Sequence, residues 1–192
     1  MATRESILDV AARLYADHGW RGTTTRGIAD AAGVNEVTVF RLFGSKESLL
    51  IEAIGQAAEG DVGPRLPDVP KKLRAELVEW ALARHAQLAD KRGMIRSCLA
   101  EWEEHPDLAP KVCRGGQDAA ADLRRYLAAA RRRKLIGAEG PLEAATKMFV
   151  NAVFMDAMMR DVMPAASPGS DRDTIATFAD VILRGLGAVE TA

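Results

Sequence analysis

The sequence predicts an all-α fold. The chain is 48% hydrophobic, 28% charged and only 5% aromatic, which is typical of a soluble globular protein with one domain or two small ones. Alanine and leucine are plentiful and runs of β-branched residues are scarce, so helices are favoured over a β-sandwich or barrel. Apolar residues recur at helical spacing along most of the chain, and no segment alternates as a strand would.

The first 55 residues predict four helices, at 4–18, 25–32 and 36–43 and after Ser45. Gly19 is a stop signal for the first helix, and Gly33 breaks the second because glycine readily adopts a left-handed turn. Thr24, Asn35 and Ser45 precede the three later helices. Their side chains are suited to cap the free amides at a helix start.

Residues 59–70 hold two glycines and three prolines and cannot continue a helix. We therefore predict a boundary near residue 55, giving an N-terminal domain 1–55 and a C-terminal domain 56–192. Further helices are predicted at 71–91, 94–104, 107–134 (with a kink at Gly115–Gly116), 142–162 and 171–187.

Several classes of protein are excluded. No stretch approaches the roughly 18 apolar residues of a membrane span, and the N-terminus lacks the apolar segment of a secretory signal. Cys98 and Cys113 do not form a Cys-x-x-Cys pair, so we expect free thiols in a reducing cytoplasm. The net charge of −1 gives no global attraction to nucleic acid, so any DNA affinity requires a local surface.

Residues 24–50 have the sequence pattern of a helix-turn-helix, two short helices joined by a tight turn. Ala29 and Ala32 are small enough to allow close helix crossing, and Val34 can fill the space between the helices. The second helix would then present its N-terminal side chains to a major groove. By itself, this turn pattern is also compatible with an ordinary helical corner.

The same segment closely resembles the signature of TetR-type transcriptional regulators. The matching residues are Ile28, Ala29, Ala32, Gly33, Val34, Thr38, Phe40, Phe43, Ser45, Lys46, Glu47, Leu49 and Leu50. The resemblance implies an all-α homodimer with an N-terminal three-helix DNA-binding head and a C-terminal helical bundle for ligand binding and dimerisation. Such proteins usually repress transcription and leave DNA when a small molecule binds.

By this resemblance the DNA-binding residues are Thr24, Thr25, Arg26, Asn35, Glu36, Val37, Thr38, Arg41 and Lys46. Asn35 to Thr38 would face base edges, and Val37 is suited to contact a thymine methyl group. Thr24 and Thr25 would meet phosphates, as would Lys46 at the start of the fourth helix.

Three positions depart from the family pattern, and one of them is Leu42, where the family frequently has a histidine or another polar residue. Phe40 stands where the family usually has a tyrosine whose hydroxyl reaches a phosphate, so we expect Phe40 to pack rather than to contact DNA. Glu36 places a carboxylate near the phosphates, which is unfavourable unless it accepts from a cytosine amino group. Residues 1–48 hold six basic and six acidic residues, so a single head should bind weakly and dimerisation should supply much of the affinity.

A mostly apolar ligand pocket is predicted in the C-terminal domain, with a hydrophobic small molecule as effector. Its expected residues are Trp80, Cys98, Trp102, Tyr126, Met148, Asn151 and Met155, with His85 as a further polar anchor. Methionine adapts to varied apolar shapes, but the methionine-rich helix is also compatible with a core or a subunit interface. The surplus apolar residues Phe149, Val153, Phe154, Val181, Ile182 and Leu186 predict a four-helix dimer interface.

The sequence shows no catalytic triad, glycine-rich phosphate loop or metal-ligand spacing, so we expect no enzyme, cofactor or metal site. Glu103 and Glu104 point to different helix faces and do not form a metal site with the nearby histidines. The resulting prediction is a cytoplasmic, ligand-responsive repressor that binds an inverted-repeat DNA operator as a homodimer. The alternatives are an activator or architectural DNA-binding protein without a small ligand, and a helical enzyme or adaptor that retains a helix-turn-helix as a relic.

Overall fold

The computed structural model describes residues 4–59, 63–166 and 168–188. These residues form nine α-helices and two one-turn 3-10 helices, and no strand occurs among them. The helices are α1 (Arg4–Gly22), α2 (Thr25–Ala32), α3 (Glu36–Phe43), α4 (Lys46–Glu59), α5 (Leu73–Asp90), α6 (Arg92–Glu101), α7 (Ala109–Arg132), α8 (Leu142–Met159) and α9 (Asp171–Gly185). The all-α prediction is confirmed.

The local signals explain where the early helices begin and end. The Thr24 side chain accepts from the amide of Gly27, and the Asn35 side chain accepts from the amide of Val37. Gly33 ends α2 with φ 68°, a left-handed conformation that costs little without a Cβ. Gly19 also has a positive φ, 65°, and breaks the helical path inside α1 at the predicted stop.

The chain divides into two compact units. The first unit comprises Met1–Val62 and Lys91–Gly115, and the second comprises Gly63–Asp90 and Gly116–Ala192. The sequence instead predicts a single boundary near residue 55. The difference arises because α6 packs on α1, so a segment that follows α5 in sequence belongs to the first unit.

In the first unit, α1 packs on α2, α4 and α6, while α3 packs on α2 and α4. The core is one cluster of apolar side chains from all of these helices, among them Ile7, Tyr15, Ile28, Val39, Leu50, Ile54 and Cys98. Because Val39 and Phe43 are buried in this cluster, they fix which face of α3 remains in solvent.

In the second unit, α5 packs on both α8 and α9, and α8 packs on α9. The C-terminal part of α7 completes the core, which includes Leu77, Trp80, Leu123, Tyr126, Leu127, Phe149, Ile175 and Ala179. The rings of Trp80 and Phe149 stack with centroids 6.4 Å apart. Contrary to the predicted kink, α7 runs through Gly115 and Gly116 as one helix.

Candidate nucleic-acid interface

The starts of α2 and α3 lie on one surface of the first unit and are joined there by a hydrogen bond. The Thr25 hydroxyl donates to Oε1 of Glu36 over 2.6 Å. Each of these residues is the first of its helix, so the carboxylate of Glu36 lies where helix dipoles favour a negative charge. The contact fixes the two short helices relative to one another at the surface predicted to meet DNA.

The solvent face of α3 carries apolar side chains. Val37 is 72% exposed and Phe40 is 48% exposed, while Val39 is buried on the opposite side. Residues three apart share a helix face, so Val37 and Phe40 are neighbours on this surface. Phe40, which was expected to pack rather than to contact DNA, is only about half covered by the protein, whereas Val39 and Phe43 take the core positions of α3.

Lys46 is turned towards the protein in this structure. Its ammonium donates to the carbonyl oxygen of Trp20 and lies 5.7 Å from the centre of the Trp20 indole ring. Burial lowers the pKa of Lys46, and the Glu101 carboxylate opposes that effect. A phosphate contact would require Lys46 to exchange the Trp20 carbonyl for a phosphate oxygen.

The nine residues predicted to bind DNA all lie in the first unit, in or directly before α2, α3 and α4. Thr24, Arg26, Asn35, Val37 and Arg41 are exposed, and Thr25, Glu36, Thr38 and Lys46 are half-buried. Sequence reasoning missed the Thr25–Glu36 contact and the exposure of Phe40. The 11-residue separation of Thr25 and Glu36 is visible in the sequence, but it becomes a contact only through the angle between the two helices.

The seven predicted ligand residues are not gathered at one place. Trp80 and Tyr126 are buried in the core of the second unit, whereas Met148, Asn151 and Met155 are exposed on α8. Cys98 is buried in the core of the first unit and Trp102 is exposed at the end of α6. Helical periodicity in the sequence does not show which helices belong to the same unit. It also does not show which face of α8 packs against other helices.

The polar groups of Trp80 and Tyr126 already have partners. The Tyr126 hydroxyl donates to Oε2 of Glu76 over 2.6 Å, and the Trp80 indole N–H donates to the carbonyl of Pro64 over 2.9 Å. A ligand that entered this core would therefore meet mainly apolar surface. A separate cavity of about 230 Å³ in the first unit is lined by Trp20, Arg21, Ala100, Glu101 and Glu104, and its charged lining differs from the predicted apolar pocket.

A network of polar and charged side chains around the buried pair His85 and Asp156 in the second unit was not predicted. His85 Nε2 lies 2.9 Å from Asp156 Oδ2, and His85 Nδ1 lies 3.7 Å from Asp171 Oδ2. These three residues are close enough to share a metal ion, but the Arg160 guanidinium binds both carboxylates, at 3.0 Å and 3.1 Å. The network links α5, α8 and α9, and Arg160 supplies positive charge to both carboxylates.

Comparison with known sequences identifies the first unit. The sequence model for bacterial regulatory proteins of the tetR family matches residues 7–53. An uncharacterized HTH-type transcriptional regulator, YvkB of Bacillus subtilis, is 28% identical over 153 residues, covering 80% of this chain and 77% of the relative. The HTH-type transcriptional repressor AcnR of Corynebacterium efficiens is 39% identical over 118 residues, covering 58% of this chain and 62% of the relative.

Comparison with solved structures extends the likeness to the whole chain. A TetR transcriptional regulator from Agrobacterium tumefaciens superposes with a TM-score of 0.77 at 22% identity, covering 97% of this chain and 94% of that one. This match shows the fold. The relatives are named as regulators of transcription, which confirms the prediction of a DNA-binding regulator rather than an enzyme. In the part of the chain that the structure describes, no helix is both long and apolar enough to cross a membrane.

Proposed function

Because this chain is a member of the TetR family of transcriptional regulators, we propose that it represses transcription as a cytoplasmic homodimer. The dimer binds an inverted-repeat operator in double-stranded DNA and leaves it when a hydrophobic small molecule binds. The observation that carries the proposal is the exposed face of α3 beside the start of α2. There, capped helix ends and side chains that reach outward lie on one surface of the first unit.

This surface offers two kinds of contact. The amides at the starts of α2 and α4 and the side chains of Thr24, Arg26 and Lys46 are suited to phosphate oxygens. The exposed side chains of α3 are suited to base edges in the major groove. Since the head has no net positive charge, specific binding depends on two heads acting together.

A second copy of this chain is supported by an uncovered apolar stripe on the second unit. Met148 and Met155 are 63% and 53% exposed and lie about two helical turns apart on α8. Val181 on the neighbouring helix α9 is 59% exposed. The alternative assignment to a subunit interface therefore fits three residues that were first predicted to bind the ligand: Met148, Asn151 and Met155.

The residues proposed earlier for this interface need a correction. Phe149, Val153, Ile182 and Leu186 are buried within the protomer's own core, and only Val181 is exposed, with Phe154 half-buried. The helices α8 and α9 are apolar on more than one side, so the sequence does not show which side a protomer covers by itself.

For the effector, Trp80 and Tyr126 remain the candidates that lie in the core of the second unit. The ligand is proposed to be apolar because both polar groups already have protein partners. The ligand must bind the conformation that cannot bind DNA more tightly than the conformation that can. A ligand with equal affinity for both would not shift the equilibrium between them.

Selection from a random duplex library with the purified protein tests the proposed function. The enriched sequence should be an inverted repeat with half-site centres roughly 34–36 Å apart, or a multiple of that distance. Arg41→Ala removes an exposed cation from α3 and should weaken binding, whereas Arg132→Ala, an exposed cation of the second unit, is the matched control. An enriched sequence without two-fold symmetry would contradict the dimer, and no enrichment at all would contradict the function.

A further inference from the structure

The face of α3 that points into solvent presents carbon atoms rather than polar groups at its centre. Val37 and Phe40 lie one helical turn apart, and both are exposed well beyond the other side chains that anchor this helix. Exposed apolar surface is used at many binding sites, and this pair lies on the helix that is proposed to meet DNA.

At the start of α3, one oxygen of Asn35 and one oxygen of Glu36 accept hydrogen bonds within the protein. Oδ1 of Asn35 accepts from the amide of Val37 over 2.9 Å, and Oε1 of Glu36 accepts from the Thr25 hydroxyl over 2.6 Å. In the major groove, the amino groups of cytosine and adenine require such acceptors. Asn35 and Glu36 are therefore each oriented by one hydrogen bond inside the protein, whereas the apolar side chains beside them have no such internal role.

We propose that Val37 and Phe40 form an apolar reading surface that selects the 5-methyl groups of thymine in each half-site. This inference rests on the proposed function, because it concerns the same DNA-binding face. Thymine is the base whose major-groove edge carries a methyl group, so it matches two exposed hydrocarbon side chains at helical spacing. In this assignment Phe40 determines specificity. Glu36 is a positioning residue, because its hydrogen bond with Thr25 holds the start of α3 against the start of α2.

Glu36→Gln separates this assignment from direct reading of cytosine. Glutamine keeps an oxygen that can accept from Thr25 and removes one negative charge near the phosphates. The selected sequence should stay the same, and binding to unrelated duplexes should tighten with a steeper dependence on salt. A changed preference confined to a C·G pair would instead show that Glu36 reads cytosine and would overturn its role as a positioning residue.

The direct test uses the operator obtained by selection, with each thymine replaced in turn by deoxyuridine, which lacks only the methyl group. Each contacted methyl should contribute about fourfold to the affinity, and thymines outside the half-sites should contribute nothing. Val37→Ala and Phe40→Ala should each abolish the thymine preference at their own positions. Phe40→Tyr, which keeps the ring, and Leu42→Ala, which alters another exposed side chain of α3, should retain it.

The outcomes distinguish the inference from the function on which it rests. If the protein binds its operator specifically but every deoxyuridine duplex binds equally well, the reading surface is overturned and the repressor assignment stands. If the thymine preference persists unchanged in both alanine variants, other residues read the methyl groups. If no sequence is bound specifically, both proposals fail.

Discussion

The two units differ in how their surfaces depend on the rest of the chain. In the first unit, the candidate DNA-binding face is built from helix ends that lie within about 25 residues, each fixed by its own cap. In the second unit, burial depends mainly on contacts between helices far apart in sequence, such as α5 with α8 and α9. A site at helix ends can therefore be located from sequence, whereas a site inside a bundle depends on packing that local patterns do not contain.

The largest expected effect is on the free energy of unfolding, and it distinguishes the side of α9 that lies in the protomer core from the side proposed to form the dimer face. Ile182 is 7% exposed and its neighbour Val181 is 59% exposed. Ile182→Glu buries an unpaired charge and should destabilise the second unit by about 4 kcal/mol or more. Val181→Glu should leave the folded protomer within roughly 0.5 kcal/mol of wild type but yield monomers.

Chemical unfolding and sedimentation of both variants check this pair. If the Ile182→Glu variant is as stable as wild type but monomeric, Ile182 belongs to the dimer interface rather than to the protomer core. If Val181→Glu remains a stable dimer at micromolar concentration, the dimer face lies elsewhere.

A smaller effect is expected for Lys46, which tests the phosphate side of the first unit. Lys46→Ala should weaken binding to all DNA sequences by the same factor and reduce the slope of log affinity against log salt by about 0.9. Lys46→Arg keeps the charge and should preserve the slope. Binding titrations at several salt concentrations give both values, and a wild-type slope for the alanine variant would mean that Lys46 stays on the Trp20 carbonyl in the complex.

The smallest effect is a pH dependence of the second unit. Burial would raise the pKa of Glu76, but the Tyr126 hydroxyl and the amides of Lys71 and Lys72 donate to its carboxylate, and the net pKa is lowered. The folded state therefore binds protons less readily than the unfolded chain. Its stabilising contribution is present above the ordinary pKa of 4.5 and is lost as pH falls through the lower folded value.

Urea unfolding at about pH 6 and about pH 3 tests this contribution. Glu76→Gln should reduce the loss of stability between these pH values by about 1 kcal/mol or less. Glu79→Gln is the control because Glu79 pairs with Arg172 at the exposed surface, where solvent screens the pair. Equal acid sensitivity of wild type and Glu76→Gln would contradict the role assigned to the Tyr126–Glu76 contact.

Much of the first unit could be predicted because its signals are local. The bounds of α2 and α3, the caps Thr24 and Asn35 and the turn at Gly33 all follow from side chains within a few residues of each helix end. The exposed side of α3 could not be predicted as safely. Val39, Phe40 and Phe43 are all apolar, and only packing on the neighbouring helices decides which of them is buried.

The second unit shows why long-range sites escaped prediction. His85, Asp156, Arg160 and Asp171 form one network, yet 71 residues separate the histidine from its aspartate partner. No short motif joins them, and their proximity exists only once α5, α8 and α9 have packed. The grouping of α6 with the first unit has the same cause and removes Cys98 from the predicted pocket.

Site-specific photo-crosslinking to the selected operator tests whether DNA is read by α3 of the first unit while the second unit pairs two copies of the chain. A photoreactive phenylalanine derivative is placed either at Val37 or at Met155, both of which are exposed. We expect the first protein to crosslink to operator bases and the second to crosslink to another copy of the chain. Crosslinking of the operator from position 155, with none from position 37, would contradict this expectation.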